Sequence, residues 1–127
     1  MLDIDYTTEF DAVIKFGYFD KDGENFGTLE NFYNALKPSG KFLMHTDVIV
    51  SRLLDCSYKY DKDLTLSSGN KLHQNDTYDP ITKLMNGILR IIQPDGTSRE
   101  MDYSVRLYTK EGFVDLCFKA GFRKVEC

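Results

Sequence analysis

His45, Thr46 and Asp47 set an imidazole, a hydroxyl and a carboxylate side by side. A trio of that kind can accept or relay a proton near neutral pH, where imidazole titrates. Arg106 offers a fixed cation that suits an anionic ligand, or a local carboxylate such as Asp102 or Glu100. Metal and disulfide chemistry find no support. Two histidines, His45 and His73, do not make a metal constellation, and the three cysteines Cys56, Cys117 and Cys127 lack C-x-x-C spacing. Their odd number fits reduced thiols in a cytoplasm, and Cys117, on an apolar helix stripe, reads as a buried structural thiol.

These residues need elements to hold them. The chain has 127 residues, 42% hydrophobic and 28% charged, which fits one small domain spanning 1–127. Sixteen Lys and Arg against 20 Asp and Glu leave a net charge of −4, and the basic residues form no run. That excludes a broad nucleic-acid footprint, and no apolar stretch approaches a membrane span. "FDAVIKF", Phe10 to Phe16, reads as a strand buried on both faces of a parallel sheet. A Gly-, Asp- and Asn-rich loop follows. Thr28 then caps a helix whose stripe is Leu29, Phe32, Tyr33 and Leu36, and Pro38 and Gly40 end it. "KFLMHT" is a second strand, parallel to the first, that delivers His45-Thr46-Asp47 to its carboxyl end. Ligands sit at such strand ends in open α/β sheets.

Asp47 is expected to cap a short helix through Leu54, and Tyr58 to Asp76 reads as irregular. "ITKLMNGILRIIQ" and "SREMDYSVRLY" flank Pro94-Asp95-Gly96 and form a long antiparallel hairpin, with Gly87 marking a bulge. Thr109 caps a last helix with the stripe Phe113, Leu116, Cys117 and Ala120. Gly121 stands at its C′ position, and "RKVEC" closes the chain as an edge strand. The order is mixed α/β and lopsided, since two parallel strands with one covering helix leave the other sheet face bare.

Phe10-Asp11-Ala12-Val13, Phe16-Gly17-Tyr18-Phe19, Leu36-Lys37-Pro38-Ser39-Gly40, Arg106-Leu107-Tyr108-Thr109 and Ala120-Gly121-Phe122 occur in an ordered series. In that order they resemble the C-terminal half of small-molecule class I S-adenosylmethionine-dependent methyltransferases. There FD-x-V, SFGYF, LKPGG, R-x-Y-T and AGF recur around the same elements. The resemblance covers nearly the whole chain and implies a partial Rossmann-like fold. Its departures are specific. The Gly-rich turn after the first strand and the ribose-binding acid after the second have no counterpart, no G-x-G occurs, and Ser39 replaces a glycine.

The resemblance also implies roles. S-adenosylmethionine is the expected cofactor, with Met1, Leu2, Phe16 and Gly17 beside it. Tyr18 is the leading catalytic residue, as an orienting hydroxyl or weak base, with His45 a second candidate base. Thr46, Asp47, Arg106 and Tyr108 would face a small-molecule acceptor. The cofactor cradle is expected to be incomplete in this chain, and to be supplied by a complementing N-terminal half or a second copy. The alternative is a noncatalytic α/β module that pairs with itself or another chain, since unpaired sheet edges recruit strands.

Overall fold

Alternating burial along β1 (Phe10–Phe16) sets the architecture: Val13 and Lys15 turn inward while Ile14 and Phe16 turn outward. The computed structural model describes residues 5–46, 50 and 59–126. The expected helix from Asp47 to Leu54 falls largely outside them. The remaining elements are α1 (Asp22–Ala35), β2 (Leu36–His45), β3 (Lys59–Thr65), β4 (Lys71–Asp79), β5 (Leu84–Ile92), β6 (Ser98–Arg106) and α2 (Lys110–Lys119). They fall into two compact units, one of residues Met1–Val50 and Tyr108–Cys127, the other of Ser51–Leu107. The class is mixed α/β, as expected.

In the first unit β1 and β2 run parallel, with Ile14 opposite Leu43 and Phe16 opposite His45. The helix starts earlier than Thr28. It begins at Asp22, where Asp22 and Glu24 in the first turn favour the positive end of the helix dipole. Thr28 is an interior, fully buried residue whose hydroxyl donates to the Glu24 carbonyl at 2.8 Å. The glycines at 23 and 27 and Asn25 hid this turn, because each has poor intrinsic helix propensity and only tertiary packing holds it helical.

The helix ends at Ala35, short of Lys37, since Pro38 disfavours helical backbone before it. The chain passes directly into β2, where Pro38, Ser39 and Gly40 bow outward: β1 advances from Phe10 to Ala12 while β2 advances from Leu36 to Lys41. Ser39 takes a left-handed φ of 67° there.

Both helices pack on one side of this sheet. Leu29, Cys117 and Ala120 form the buried centre, with Phe42, Phe113, Leu116, Phe122 and Val125 around it. Burying one such leucine stabilises by about 1.5–3 kcal/mol. Thr109 caps α2 as expected, accepting from the Gly112 amide at 3.1 Å. Its far end is a full Schellman turn, Gly121 N–H to Phe118 C=O and Phe122 N–H to Cys117 C=O, each at 3.1 Å. Gly121 has φ 110°, and a Cβ there would meet the Tyr33 ring at 2.9 Å. Residues 123–126 are not a strand. Val125 is spent on the core instead, and Lys124 pairs locally with Glu126.

The second unit is a four-stranded antiparallel sheet in the order β3-β4-β5-β6. The expected hairpin is β5–β6, turned by Gly96 at φ 86° with the Asp95 carboxylate accepting from Thr97 N–H and Oγ1 at 2.8 and 2.7 Å. The stretch read as irregular between 58 and 76 supplies β3 and most of β4. Its strands went unseen because their pairing is largely polar. Asp63 lies 2.8 Å from His73 Nδ1 and Asp61 lies 3.6 Å from Nε2, contacts that periodicity does not report. Gly87 makes no bulge. It stays in register between Asp76 and Tyr103, and its missing side chain admits the hydrogen-bonded Tyr103 hydroxyl and Asp76 carboxylate. Gln74 Nε2 donates to both, at 2.8 Å to Asp76 and 2.9 Å to Tyr103.

Two substitutions test these assignments by urea denaturation. Ser39→Gly relieves the left-handed strain and is expected to raise stability by about 0.5–1 kcal/mol. Gly87→Ala drives a methyl into the Tyr103–Asp76 pair and is expected to cost about 1–3 kcal/mol.

Candidate functional site

At the carboxyl end of β1 the chain turns through Gly17, in left-handed backbone at φ 68° with open space where a Cβ would stand. Its amide donates to the His45 carbonyl at 3.2 Å, tying the ends of the two parallel strands together. The turn sorts the expected site residues to two sides. Phe16 and His45 meet edge to face, 5.8 Å between ring centroids, with Phe16 74% exposed. Tyr18 meets Tyr108 at 5.1 Å and Phe113 at 5.6 Å. Tyr108 is anchored in turn, its hydroxyl donating to Asp22 at 2.6 Å. Tyr18, Tyr108 and Phe113 thus form an aromatic surface beside a glycine turn, of a kind that can receive a cation on ring faces.

The other candidates divide. Thr46 is exposed at the end of β2. Met1, Leu2 and Asp47 lie outside the described residues. Arg106 belongs to the second unit, where its guanidinium donates to the carbonyls of Thr82 and Lys83 at 3.3 and 3.4 Å. Glu100, one of its expected partners, pairs with Arg90. The second unit also carries a groove of about 450 Å³ lined by Asn75, Thr77, Asn86, Ile88, Asp102 and Ser104 among others.

Two residues that sequence reasoning missed organise the turn. Asn25, 2% exposed, accepts from the Phe19 amide at 2.8 Å and donates to the Phe19 and Lys21 carbonyls at 3.0 and 3.1 Å. These bonds fix the loop carrying Tyr18 against the first turn of α1, whose Lys21 side chain makes no cap. An asparagine inside a nominal loop gave no signal of this. Lys15 is 7% exposed, its Nζ 4.1 Å from the Phe19 ring centroid. Burial pushes its amine below the ordinary lysine range. Its signal was the strand alternation itself, which turns residue 15 inward with Val13.

Among the described residues no group of His, Cys, Asp and Glu side chains is arranged to hold a metal ion, and no helix is long and apolar enough to cross a membrane. No protein-family profile matches the chain, and no curated protein matches it by sequence. Solved structures do. The CcbJ methyltransferase of Streptomyces caelestis superposes with a TM-score of 0.77 at 15% identity, over 99% of this chain and 51% of that one. The chain has the fold of half a small-molecule methyltransferase. DesVI of Streptomyces venezuelae matches at 0.65 and 15% identity, over 91% of this chain and 51% of its own. CalS10 of Micromonospora echinaspora, an amino pentose methyltransferase solved with S-adenosylmethionine bound, matches at 0.65 and 15%, over 94% and 53%. The chain spans about half the length of each.

Asn25→Ala strips two backbone partners from Phe19 and is expected to cost about 1–3 kcal/mol in a denaturant titration. Lys15→Met should act in the opposite sense. A lysine whose folded-state affinity for protons is depressed destabilises the fold at low and neutral pH. That cost fades as pH rises toward the ordinary lysine value. The gain from Lys15→Met is therefore largest at neutral pH and shrinks in alkaline buffer, read by thermal unfolding at several pH values.

Proposed function

We propose that this chain is the C-terminal portion of a cytoplasmic S-adenosylmethionine-dependent methyltransferase acting on a small-molecule acceptor. The observation that carries the reading is the superposition on CcbJ over 99% of the chain at a TM-score of 0.77. Bound, the cofactor would supply an electrophilic methyl on a positive sulfonium. The residues at the β1 end fit that task in part. Gly17 leaves room for close approach, Tyr18 offers an aromatic face to a cation on one side of the turn, and Phe16 does so on the other. Tyr18 orients the acceptor or takes its proton weakly, and His45 is the second base. Tyr108, fixed by Asp22, holds Tyr18 in place, and Tyr108, Thr46 and Asp47 are assigned to the acceptor. Met1 and Leu2 are assigned to the cofactor with Phe16 and Gly17. The aminated pentose of CalS10 names the first acceptor class to screen.

One observation favours a second reading. On the sheet face away from the helices Ile14, Phe16 and Leu43 are 58%, 74% and 59% exposed, a surface that suits a module completed by a second copy or by an N-terminal half.

Calorimetric titration of S-adenosylhomocysteine into the purified chain tests the choice. A defined micromolar binding event, with Tyr18→Ala weakening S-adenosylmethionine about fivefold, supports methyl transfer. A folded sample that binds nothing sinks autonomous methyl transfer and leaves the pairing module.

A further inference from the structure

Three strands of the second unit present one polar face, because residues two apart on a strand point the same way. Asn75 pairs with Ile88 and Ile88 with Asp102, while Thr77 pairs with Asn86 and Asn86 with Ser104. These six line the groove of about 450 Å³, a volume within the roughly 300–1,000 Å³ of small-molecule sites. Amides and hydroxyls offer donors and acceptors together, and Ser104 Oγ donates to Asn86 Oδ1 at 2.9 Å, which leaves Asn86 Nδ2 to donate. Ile88 adds one apolar patch, 41% exposed. The charge is one-sided. None of the residues lining the groove is basic. Among the described residues no basic side chain pairs with Asp102: Arg90 is spent on Glu100 at 2.8 Å, and Arg106 donates to the Thr82 and Lys83 carbonyls. Asp76, 3% exposed, pairs across the ladder with Gly87 of the same groove, and its carboxylate accepts from two neutral groups, Gln74 Nε2 at 2.8 Å and the Tyr103 hydroxyl. Two carboxylates without a basic partner thus flank one groove.

We propose that this groove binds a small polyhydroxylated amine, its ammonium on Asp102 and its hydroxyls on Asn75, Thr77 and Asn86. The carboxylates select the cation. The amides and hydroxyls select the ligand's hydroxyl groups, each of which donates and accepts as they do. Ile88 takes the C–H face of the ligand. A phosphorylated or carboxylated ligand would meet Asp102 as a like charge, which disfavours it. The site stands on the second unit alone and is independent of the methyl-transfer reading.

The test titrates the intact ¹⁵N-labelled chain with glucosamine, with glucose as its uncharged twin and ammonium chloride at matched ionic strength. Glucosamine is expected to shift the amides of Asn75, Asn86, Ile88, Asp102 and Ser104 along a saturable curve with a millimolar midpoint. Ammonium chloride should not saturate over the same range. Removing the charge from either partner, by glucose or by Asp102→Asn, should weaken binding about threefold, the scale of one exposed ion pair. The two losses should not add, so that Asp102→Asn binds both sugars alike. Asn86→Ala should weaken both sugars together, and Asp115→Asn, on α2 of the first unit, should change neither. Amide dispersion checks each fold, and Asp102→Ser replaces Asp102→Asn if the latter misfolds. Shifts no larger than those with ammonium chloride overturn the proposal, and so does a preference for glucosamine that survives loss of the Asp102 carboxylate. Failure of glucosamine while S-adenosylhomocysteine still binds removes this inference alone. Glucosamine binding without S-adenosylhomocysteine binding supports the groove and counts only against methyl transfer.

Discussion

The first unit depends on the contact of Leu29 in α1 with Cys117 and Ala120 in α2. That contact joins residues almost ninety positions apart and is what brings the last twenty residues back to the first fifty. Other contacts hang on it. Phe122 can face Tyr33 and Phe42, at 5.4 and 5.6 Å, only because the Schellman turn at Gly121 reverses the chain against α1. Tyr108 and Phe113 reach Tyr18 only because α2 has docked. The aromatic surface beside Gly17 is therefore a tertiary product, made by a helix that follows the loop by some ninety residues.

Two parallel strands under two helices bury one sheet face and leave the other in water. The cost is visible in Ile14, Phe16 and Leu43, apolar side chains directly opposite or beside one another in register and mostly exposed. A sheet meant to stand alone in solvent would alternate polar residues onto that face, as antiparallel sheets do. This one exposes apolar side chains on the face away from the helices, and the chain spans about half of each solved structure it matches.

What could be read from the sequence was local. The stripe of α2, its threonine cap, its C′ glycine and the Pro-Asp-Gly turn each draw on a few neighbouring residues, and each is present. What could not be read was long-range. Asn25 bonds back from the first turn of α1 to Phe19, a contact that no local pattern reports, and that turn is helical although its glycines argue against it. The strands β3 and β4 are held by pairs such as Asp63 and His73, ten residues apart across a turn. Gly87 looked like a strand defect because its purpose, making room for Tyr103 and Asp76, belongs to two other strands. At the site, Phe16, Gly17 and Tyr18 were legible through resemblance. Lys15 and Asn25, which no motif marks, needed the packing.

Charge at the turn between β1 and α1 bears on the proposed methyl transfer. A sulfonium received on the Tyr18 side of the turn would share its loop with the ammonium of Lys15, and two positive charges in a partly dry site oppose each other. Loss of the lysine proton would relieve the conflict, and burial already moves the amine in that direction. The inward turn of one strand residue thus sets a charge beside the aromatic surface that no motif in the sequence marks.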